Sequence, residues 1–300
     1  MSGRQTCLAV TLVLLMVLKA AQAATPVHGH YPPGQTGLRG AAAAAPGWSI
    51  TDFNRLFSNL DVKDASGASV SHAGEVRYAN ILMTGWTSET KILGMNYGAL
   101  VGIPFATGNL NPEPDETPSG GFALGDIITT PVSLYGIASD FDYQFQLSVW
   151  TPSGRFKPGS PTNRGSGFWS LIYSVGGVWY PGGDRQDWSI SAVARLEQNF
   201  RQPGTGITPG DNLDLDWGIG KVLHLGPYNF DAGVSGFATW QVTTQTGGMS
   251  TGRYSYYGAG PEISAVIADG WSMRLRTQWE FATRNAVQGN NIWIMVSTRF

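Results

Sequence analysis

The chain has 300 residues, with 19 lysines and arginines against 21 aspartates and glutamates, and its formal net charge is −2. This balance excludes a strongly basic surface of the kind that binds nucleic acid, so no nucleic-acid partner is expected. Charged residues make up 13% of the chain, whereas an ordinary soluble domain has roughly 25%. The 40 glycines and 11 tryptophans are numerous. Such a composition is typical of a large β-sandwich or of a membrane β-barrel.

Residues 1–23 have the three parts of a secretory signal peptide. Arg4 supplies the positive charge, Leu8 to Leu18 form the apolar stretch, and Ala21-Gln22-Ala23 is the expected cleavage site. The single cysteine, Cys7, lies within this peptide, so the mature chain is expected to lack disulfides. No later apolar run reaches the roughly 18 residues that a transmembrane helix needs. The sequence therefore predicts an exported protein without spanning helices.

Residues 24–47 form a second, irregular region that is rich in proline and glycine. Prolines at 26, 32, 33 and 46 exclude a regular helix or strand. Two interpretations stay open: a plug that folds up into a barrel, or a periplasmic tail. The candidate plug residues are His28, His30, Tyr31, Pro32 and Pro33. Because neither a cysteine nor a nearby carboxylate completes the His28–His30 pair, no metal site and no cofactor are expected.

From residue 48 onwards the sequence alternates between apolar and polar residues. In residues 141–149, for example, Phe, Tyr, Phe, Leu and Val alternate with Asp, Gln, Gln and Ser. A period of two predicts β-strands with two different faces. Twelve strands are predicted, at 48–60, 75–86, 91–105, 122–135, 140–151, 168–180, 188–200, 211–225, 229–243, 253–267, 271–281 and 291–300. An even number of strands, most of them long enough for the ~10 residues that cross a bilayer, is typical of an outer-membrane barrel.

The predicted connections alternate in length along the chain. The longer ones are 61–74, 106–121, 152–167, 201–210, 244–252 and 282–290, and the shorter ones are 87–90, 136–139, 181–187, 226–228 and 268–270. Bacterial barrels have short periplasmic turns and longer extracellular loops. The predicted fold is therefore all-β: a membrane-spanning, antiparallel, up-and-down β-barrel of about 12 strands over residues 48–300, in the outer membrane of a Gram-negative bacterium.

Aromatic residues support this prediction because they recur ten or eight residues apart on one face of a strand. The pairs are Trp169 with Trp179, Phe230 with Trp240, and Trp271 with Trp279. Ten residues of a tilted strand span about 25 Å of membrane thickness, the separation between the two aromatic girdles of a barrel. We therefore expect these side chains to face the two membrane interfaces.

The C-terminal stretch IWIMVSTRF alternates up to the last residue. Ile292, Ile294, Val296, Thr298 and Phe300 are expected to face lipid in a strand that closes the barrel against the first one. A terminal phenylalanine on such a strand resembles the signal that the barrel assembly machinery recognises. The expected partners are this machinery, outer-membrane lipid and lipopolysaccharide, and a small hydrophobic or aromatic solute.

Charged residues on the polar face of the strands are expected to point into the lumen. The candidates for lining the lumen or binding solute are Arg195, Glu197, Asp214, Asp216, His224, Glu262, Arg274, Arg276 and Glu280. Two interpretations remain open. The charges pair with one another and fill a structural interior, or they line a passage in which arginines meet an anionic or phenolic oxygen.

Catalytic motifs are not evident in the sequence. It has no G-x-S-x-G elbow, phosphate-binding loop or H-E-x-x-H motif. An outer-membrane lipase would present a histidine and a serine on the lipid face, whereas His224 has the parity of the lumen face. No catalytic residue is predicted, and the protein is not expected to be an enzyme.

The N-terminal region carries a family resemblance. HYPPGQTGLRG at 30–40, APGW at 45–48, FNRLF at 53–57, LGDI at 124–127 and GPEIS at 260–264 resemble the family named for the meta-pathway of phenol degradation. The resemblance implies an outer-membrane barrel associated with the breakdown, and specifically the uptake, of aromatic or other hydrophobic compounds. We therefore expect a channel for such compounds, with passage through the lumen or the wall. The alternatives are a general diffusion porin and an outer-membrane enzyme of lipase type.

Overall fold

The computed structural model describes residues 26–107, 122–160, 162–226, 228–248 and 252–300. The predicted signal peptide and most of the predicted loop 106–121 lie outside these ranges. Within them, no helix is long and apolar enough to cross a membrane.

The described residues form thirteen β-strands. These are β1 Gly47–Lys63, β2 Ser69–Ile92, β3 Met95–Ala106, β4 Ala123–Leu124, β5 Ile128–Ile137, β6 Phe141–Trp150, β7 Ser170–Trp179, β8 Trp188–Asn199, β9 Asn212–Leu225, β10 Tyr228–Gln241, β11 Ser255–Ala268, β12 Trp271–Arg284 and β13 Ala286–Arg299. The two-residue strand β4 pairs only with the end of β3, and the other twelve form the wall.

The wall is a closed antiparallel barrel in which each strand pairs with its neighbours along the chain. Closure comes from β1, which pairs with β2 on one side and with β13 on the other, so that Leu56 lies opposite both Tyr78 and Ile292. At the end of the seam, Trp48 and Phe300 exchange backbone hydrogen bonds of 2.9 and 3.0 Å. The prediction of a twelve-stranded up-and-down barrel, with the last strand closing against the first, is confirmed.

The connections divide the barrel into two ends. At the turn end lie Gly47, Phe300, Gly226 and the connections 93–94, 138–140, 180–187 and 269–270. At the loop end lie Asn285, the connections 64–68 and 200–211, and the described residues 107, 122–127, 151–160, 162–169, 242–248 and 252–254, which include β4. By the general rule for bacterial barrels, the turn end faces the periplasm.

Two of the predicted long loops, 61–74 and 282–290, are wrong. Strands β1 and β2 continue until only residues 64–68 separate them, and Asn285 alone separates β12 from β13. Asn285 adopts a left-handed φ of 49°, which allows so tight a turn. The strands here extend past the apolar band, where both faces can be polar. Because the hydrophobic alternation stops before the strands do, the sequence resembles a loop.

The two faces of the wall are sorted as the alternation predicts. Trp169, Trp179, Trp271 and Trp279 lie on the outer surface, each about half exposed. On β13, Trp293 points into the lumen and is 1% exposed, whereas its neighbour Ile292 faces outwards. On the outer face, Asp52 accepts hydrogen bonds from Asn54 and Asn80 at 2.9 and 2.5 Å. These three residues satisfy one another because lipid offers them no hydrogen bonds.

Candidate functional site

The lumen contains the N-terminal segment, residues 26–46, which is irregular throughout. It begins at the loop end, where the Val27 N–H donates to Gln245 Oε1 at 2.8 Å. It finishes at the turn end, where Gly47 starts β1. Leu38 and Ala41 are completely buried midway. The segment therefore passes through the whole lumen.

His30 attaches the segment near the loop end. Its Nε2 lies 3.1 Å from Asp126, and its Nδ1 lies 2.8 Å from Ser170 Oγ and 3.3 Å from Glu197. The ring stacks on Trp150 with 5.4 Å between centroids. Burial lowers the pKa of His30, but the hydrogen bonds to Asp126 and Glu197 outweigh it, so that the pKa is raised above its ordinary value. A protonated His30 between two carboxylates is therefore favoured.

Asp216 of β9 holds the middle of the segment. Its carboxylate accepts hydrogen bonds from the backbone N–H groups of Gly34 at 2.8 Å and Thr36 at 3.2 Å. The hydroxyls of Tyr31 and Thr36 donate to the same carboxylate. Arg195 lies 3.3 Å from Asp216 and covers the Tyr31 ring at 4.4 Å. One buried carboxylate thus holds three residues of the segment.

Glu262 and Arg276 form the next attachment. Arg276 Nε donates to Glu262 at 2.7 Å, and Arg276 also donates to the carbonyl of Gly34. The Leu38 N–H donates to Glu262 at 3.1 Å. Arg274 binds the Thr36 carbonyl at 3.2 Å. The wall therefore satisfies both donors and acceptors of a segment that has no regular structure of its own.

Glycine is required where the segment approaches the wall most closely. Gly37 has a φ of 63°, and a Cβ there would lie 2.1 Å from Arg276 and 2.2 Å from Glu262. Gly34 has a φ of 82°, and a Cβ there would lie 2.4 Å from Gln278. Both positions combine a left-handed backbone with a contact too short for any side chain. The segment is therefore shaped to this lumen.

The predicted lumen residues fall into two groups. Those that touch the segment are Arg195, Glu197, Asp216, Glu262, Arg274 and Arg276. Asp214 and Glu280 are buried in the wall and bind Thr239 and Asn291 respectively. His224 lies apart from them: it is exposed at the turn end and contacts Asn229 at 2.7 Å. It has the parity of the lumen face, but it lies next to the last residue of β9, beyond the enclosed interior.

The candidate plug residues also have defined places. His28 stacks on Tyr254 at 4.2 Å, and burial lowers its pKa to about 4. His30 and Tyr31 make the contacts already described. Pro32 and Pro33 line a cavity beside the segment.

Sequence reasoning missed several functional contacts. Asp126 binds His30 and also accepts hydrogen bonds from the backbone of Gly154 and Ser166, so that it joins a loop-end connection to the segment. It belongs to the stretch LGDI, which was recognisable as a family landmark without a role. Arg39, which pairs with Asp231 at 2.7 Å, was also missed.

Two of the cavities beside the segment are lined mainly by β1, β2, β3 and β6. The loop-end cavity has a volume of about 180 Å³, and the turn-end cavity has a volume of about 330 Å³. Four residues line both of them. These are Tyr31, Phe53, Ile81 and Trp150.

Ser170, His30 and Asp126 are spaced like a hydrolytic triad, but their surroundings differ from one. The Ser170 hydroxyl is completely buried and donates to Asn199 Oδ1 at 2.6 Å. A nucleophilic serine instead directs its proton towards the histidine and its oxygen towards substrate. Among the described residues, no group of three or more His, Cys, Asp or Glu could hold a metal ion.

The fold is similar to those of solved outer-membrane proteins. The COG4313 outer membrane channel from Pseudomonas putida F1 has a TM-score of 0.68 at 13% identity, covering 90% of this chain and 100% of that one. The beta domain of the Bordetella autotransporter BrkA has a TM-score of 0.50 at 13% identity, with coverages of 86% and 100%. These likenesses show the fold, and no curated protein matches the chain in sequence.

A family model gives the assignment. The model described as "Putative MetA-pathway of phenol degradation" matches residues 61–296. This range covers well over half of the chain and nearly all of the barrel. The protein is an outer-membrane β-barrel that belongs to this phenol-degradation family.

Proposed function

We propose that the protein is an outer-membrane channel for the passive entry of small hydrophobic or aromatic compounds, and that residues 26–46 plug its lumen. The observation that carries the proposal is the set of buried attachments along the segment, at His30, at Asp216 and at Glu262. Membership of the phenol-degradation family supports the solute class. The similar COG4313 structure is described as an outer membrane channel.

The filled lumen favours this function over a general diffusion porin. A porin needs a continuous column of water, whereas here the centre is occupied by packed backbone and completely buried side chains such as Leu38. The sequence left open whether the charged residues that face the lumen pair with one another or line a passage, and the contacts between them favour pairing over a passage for ions. Arg276 with Glu262 and Arg195 with Asp216 are paired. They therefore support the segment rather than conduct ions.

A lipase-type enzyme is the weaker alternative. The buried Ser170 hydroxyl is directed at Asn199 rather than at the cavity. We propose that the protein is not an enzyme. Incubating the refolded protein with short-chain ester substrates tests this, since ester turnover that is lost in a Ser170→Ala variant would contradict it.

The C-terminus supports a proposal about partners. Phe300 is 69% exposed at the turn end. We propose that the barrel assembly machinery recognises it in the unfolded chain and that lipopolysaccharide surrounds the loop end of the folded barrel. Deleting Phe300 should lower the amount of folded barrel in the outer membrane without preventing refolding in detergent.

Conductance tests the plug. In planar lipid bilayers the full-length mature protein should give small ionic currents, and a variant without residues 26–45 should give large ohmic steps. Replacing the same residues by a Gly-Ser linker of equal length controls for chain length and should also give large steps. Large ohmic steps from the intact protein, unchanged by the deletion, would make it a porin.

A further inference from the structure

We propose that solutes pass beside the docked N-terminal segment rather than through a lumen emptied of it. The route consists of the loop-end cavity, the turn-end cavity and a neck between them formed by Tyr31, Phe53, Ile81 and Trp150. The neck admits one uncharged aromatic ring. This inference rests on the proposed channel function and specifies the path and the solute.

The segment lies off-centre in the barrel. Most of its charged attachments are made to one half of the wall, at Glu197 of β8, Asp216 of β9, Asp231 of β10 and Glu262 of β11. Asp126 and Asp142 hold it from the other half. Most of the strand residues that line the two cavities belong to β1, β2, β3 and β6. Tyr256 and Trp293 also line the loop-end cavity, and Arg195 and Arg274 also line the turn-end cavity. Contacts with one half of the wall therefore leave space along the other half.

The docked position is firmly held. The attachments include hydrogen bonds to buried carboxylates, which are stronger than those between neutral groups. Removing the segment would break these hydrogen bonds to Asp216 and Glu262 and would expose the completely buried Leu38 side chain to water. A route that required the segment to leave for each solute would have to break all of these contacts. A path beside it breaks none.

The loop-end cavity suits a single aromatic ring. Its volume of about 180 Å³ is close to the ~150 Å³ of an apolar cavity that holds benzene. Phe53, Phe57, Tyr256 and Trp293 contribute rings to its wall. Flat rings of this kind pack against a flat solute.

The one arginine of β1 in this cavity is already satisfied. The Arg55 guanidinium lies 4.8 Å from the Phe57 ring and 5.2 Å from the Trp293 ring. Its Nε donates to Asn291 at 2.6 Å. A charge engaged in this way offers little to an anion, so Arg55 gives benzoate little advantage over phenol.

The segment contributes one side of the neck, through Tyr31, and the wall contributes the other. Tyr31 is fixed because its hydroxyl donates to Asp216 and Arg195 covers its ring. Phe53 and Ile81 lie directly opposite each other on β1 and β2. Trp150 is 4% exposed, and its indole N–H has no hydrogen-bond partner among the described residues. That buried donor is available to the oxygen of a phenol.

The turn-end cavity is larger and more polar. Thr130, Gln144, Gln146 and Ser148 contribute to its lining. Hydroxyl and amide groups hydrogen-bond a phenolic oxygen once the ring has cleared the neck. A solute that enters at the loop end therefore meets the apolar cavity first, then the neck, and then the more polar cavity at the turn end.

A disulfide that holds the segment in place can distinguish a path beside the docked segment from a path that requires the segment to leave the lumen. In a Leu38→Cys, Gly220→Cys variant with Cys7 absent, a disulfide would tie the segment to β9, because a Cβ at residue 220 lies 3.0 Å from the tip of Leu38. Phenol influx is measured in vesicles with lipopolysaccharide in the outer leaflet, against protein-free vesicles. Thiol labelling reports the locked fraction.

We expect phenol influx through the locked protein to stay within twofold of influx through the reduced protein. Influx that is abolished on oxidation and restored on reduction would overturn the route beside the segment. If neither form exceeds the protein-free vesicles, the proposed channel function itself fails. The two failures are therefore distinguishable.

Narrowing the neck is an independent test that needs no disulfide. Ile81→Trp adds bulk inside the neck, and Leu82→Trp adds the same bulk one residue further along β2, on the outer surface. Ile81→Trp should lower phenol influx at least tenfold, and Leu82→Trp should leave it within twofold. Equal influx through the two variants would exclude the neck from the path.

Discussion

The carboxylate of Asp216, in the wall of the barrel, accepts a hydrogen bond from the backbone N–H of Gly34 at 2.8 Å. The two residues are 182 positions apart in the chain. Gly34 can approach so closely because it has no side chain and adopts a φ of 82°. The wall and the segment are therefore complementary at the level of single atoms, and this complementarity makes several measurements informative.

Neutralising Asp216 should loosen the segment. Asp216→Asn removes the charge from bonds with Tyr31, Gly34 and Thr36, and each hydrogen bond to a charged group is worth roughly 1.5–3 kcal/mol. We expect residues 26–46 to become accessible to protease while the barrel keeps its heat-resistant mobility in gels. Asp187→Asn is the matched control, because Asp187 pairs with Lys221 on the surface. Equal protease resistance in both variants would contradict the assigned role of Asp216.

Gly37 should be irreplaceable for a steric reason. In Gly37→Ala the new Cβ would lie 2.1 Å from Arg276 and disturb its contact with Glu262. Gly159→Ala is the control, since its φ of 70° is similar but nothing lies within 4 Å of the added Cβ. We expect hydrogen exchange of residues 26–46 to increase at least tenfold in Gly37→Ala only. An equal increase in hydrogen exchange in both variants would mean that strain at a left-handed glycine, and not the contact with Arg276, loosens the segment.

Docking of the segment should weaken at alkaline pH. Because the pKa of His30 is raised in the folded protein, its contribution is complete below the ordinary histidine pKa of about 6.5 and is lost as the pH rises through the raised value. Protease resistance of the segment should therefore fall with rising pH in the native protein. It should not fall in His30→Gln, which cannot titrate.

His28 should act in the opposite direction. Its pKa is lowered to about 4, so its contribution is complete above about 6.5 and is lost as the pH falls towards 4. A His28→Phe variant removes this acid-side loss and isolates the His30 effect. Superimposable pH profiles for the native protein and His30→Gln would contradict the role of His30.

Removing the indole N–H of Trp150 should affect phenol more than toluene. Trp150→Phe keeps a ring in the neck but removes the donor, and one net hydrogen bond corresponds to about a three- to tenfold change. Phenol influx should fall by this factor, whereas toluene influx should not, because toluene has no oxygen. Trp169→Phe, on the outer surface, is the control. If the influx of phenol and the influx of toluene fell equally, Trp150 would contribute packing only and not a hydrogen bond to the solute.

Much of the fold was predictable because alternation is a local signal. Residues 141–149 show it in full, and β6 is Phe141–Trp150. The signal fails where strands leave the membrane, as at 61–74, because polar residues then occupy both faces. It also fails near 122–135, where the chain makes β4, leaves regular structure and resumes as β5.

The candidate site was predictable in part for the same reason. Parity alone places Asp216, Glu262 and Arg276 in the lumen, but it cannot name their partners. The contact of Arg276 with Gly34 joins residues 242 positions apart. Trp150 and Asp126 both contact His30 of the segment. The path of the segment is defined only when the whole barrel has closed, so the sequence pattern does not reveal these contacts. Such contacts depend on three-dimensional packing, and neither the alternation of residues nor the composition of the chain predicts which residues will meet.

The most direct test of a plugged, aromatic-selective channel is to measure phenol influx and potassium conductance in the same preparation of the intact protein. The structure predicts phenol influx well above that of protein-free, lipopolysaccharide-coated vesicles, together with little ionic current. Phenol influx equal to that of the protein-free vesicles, or large ohmic currents indifferent to phenol, would contradict it.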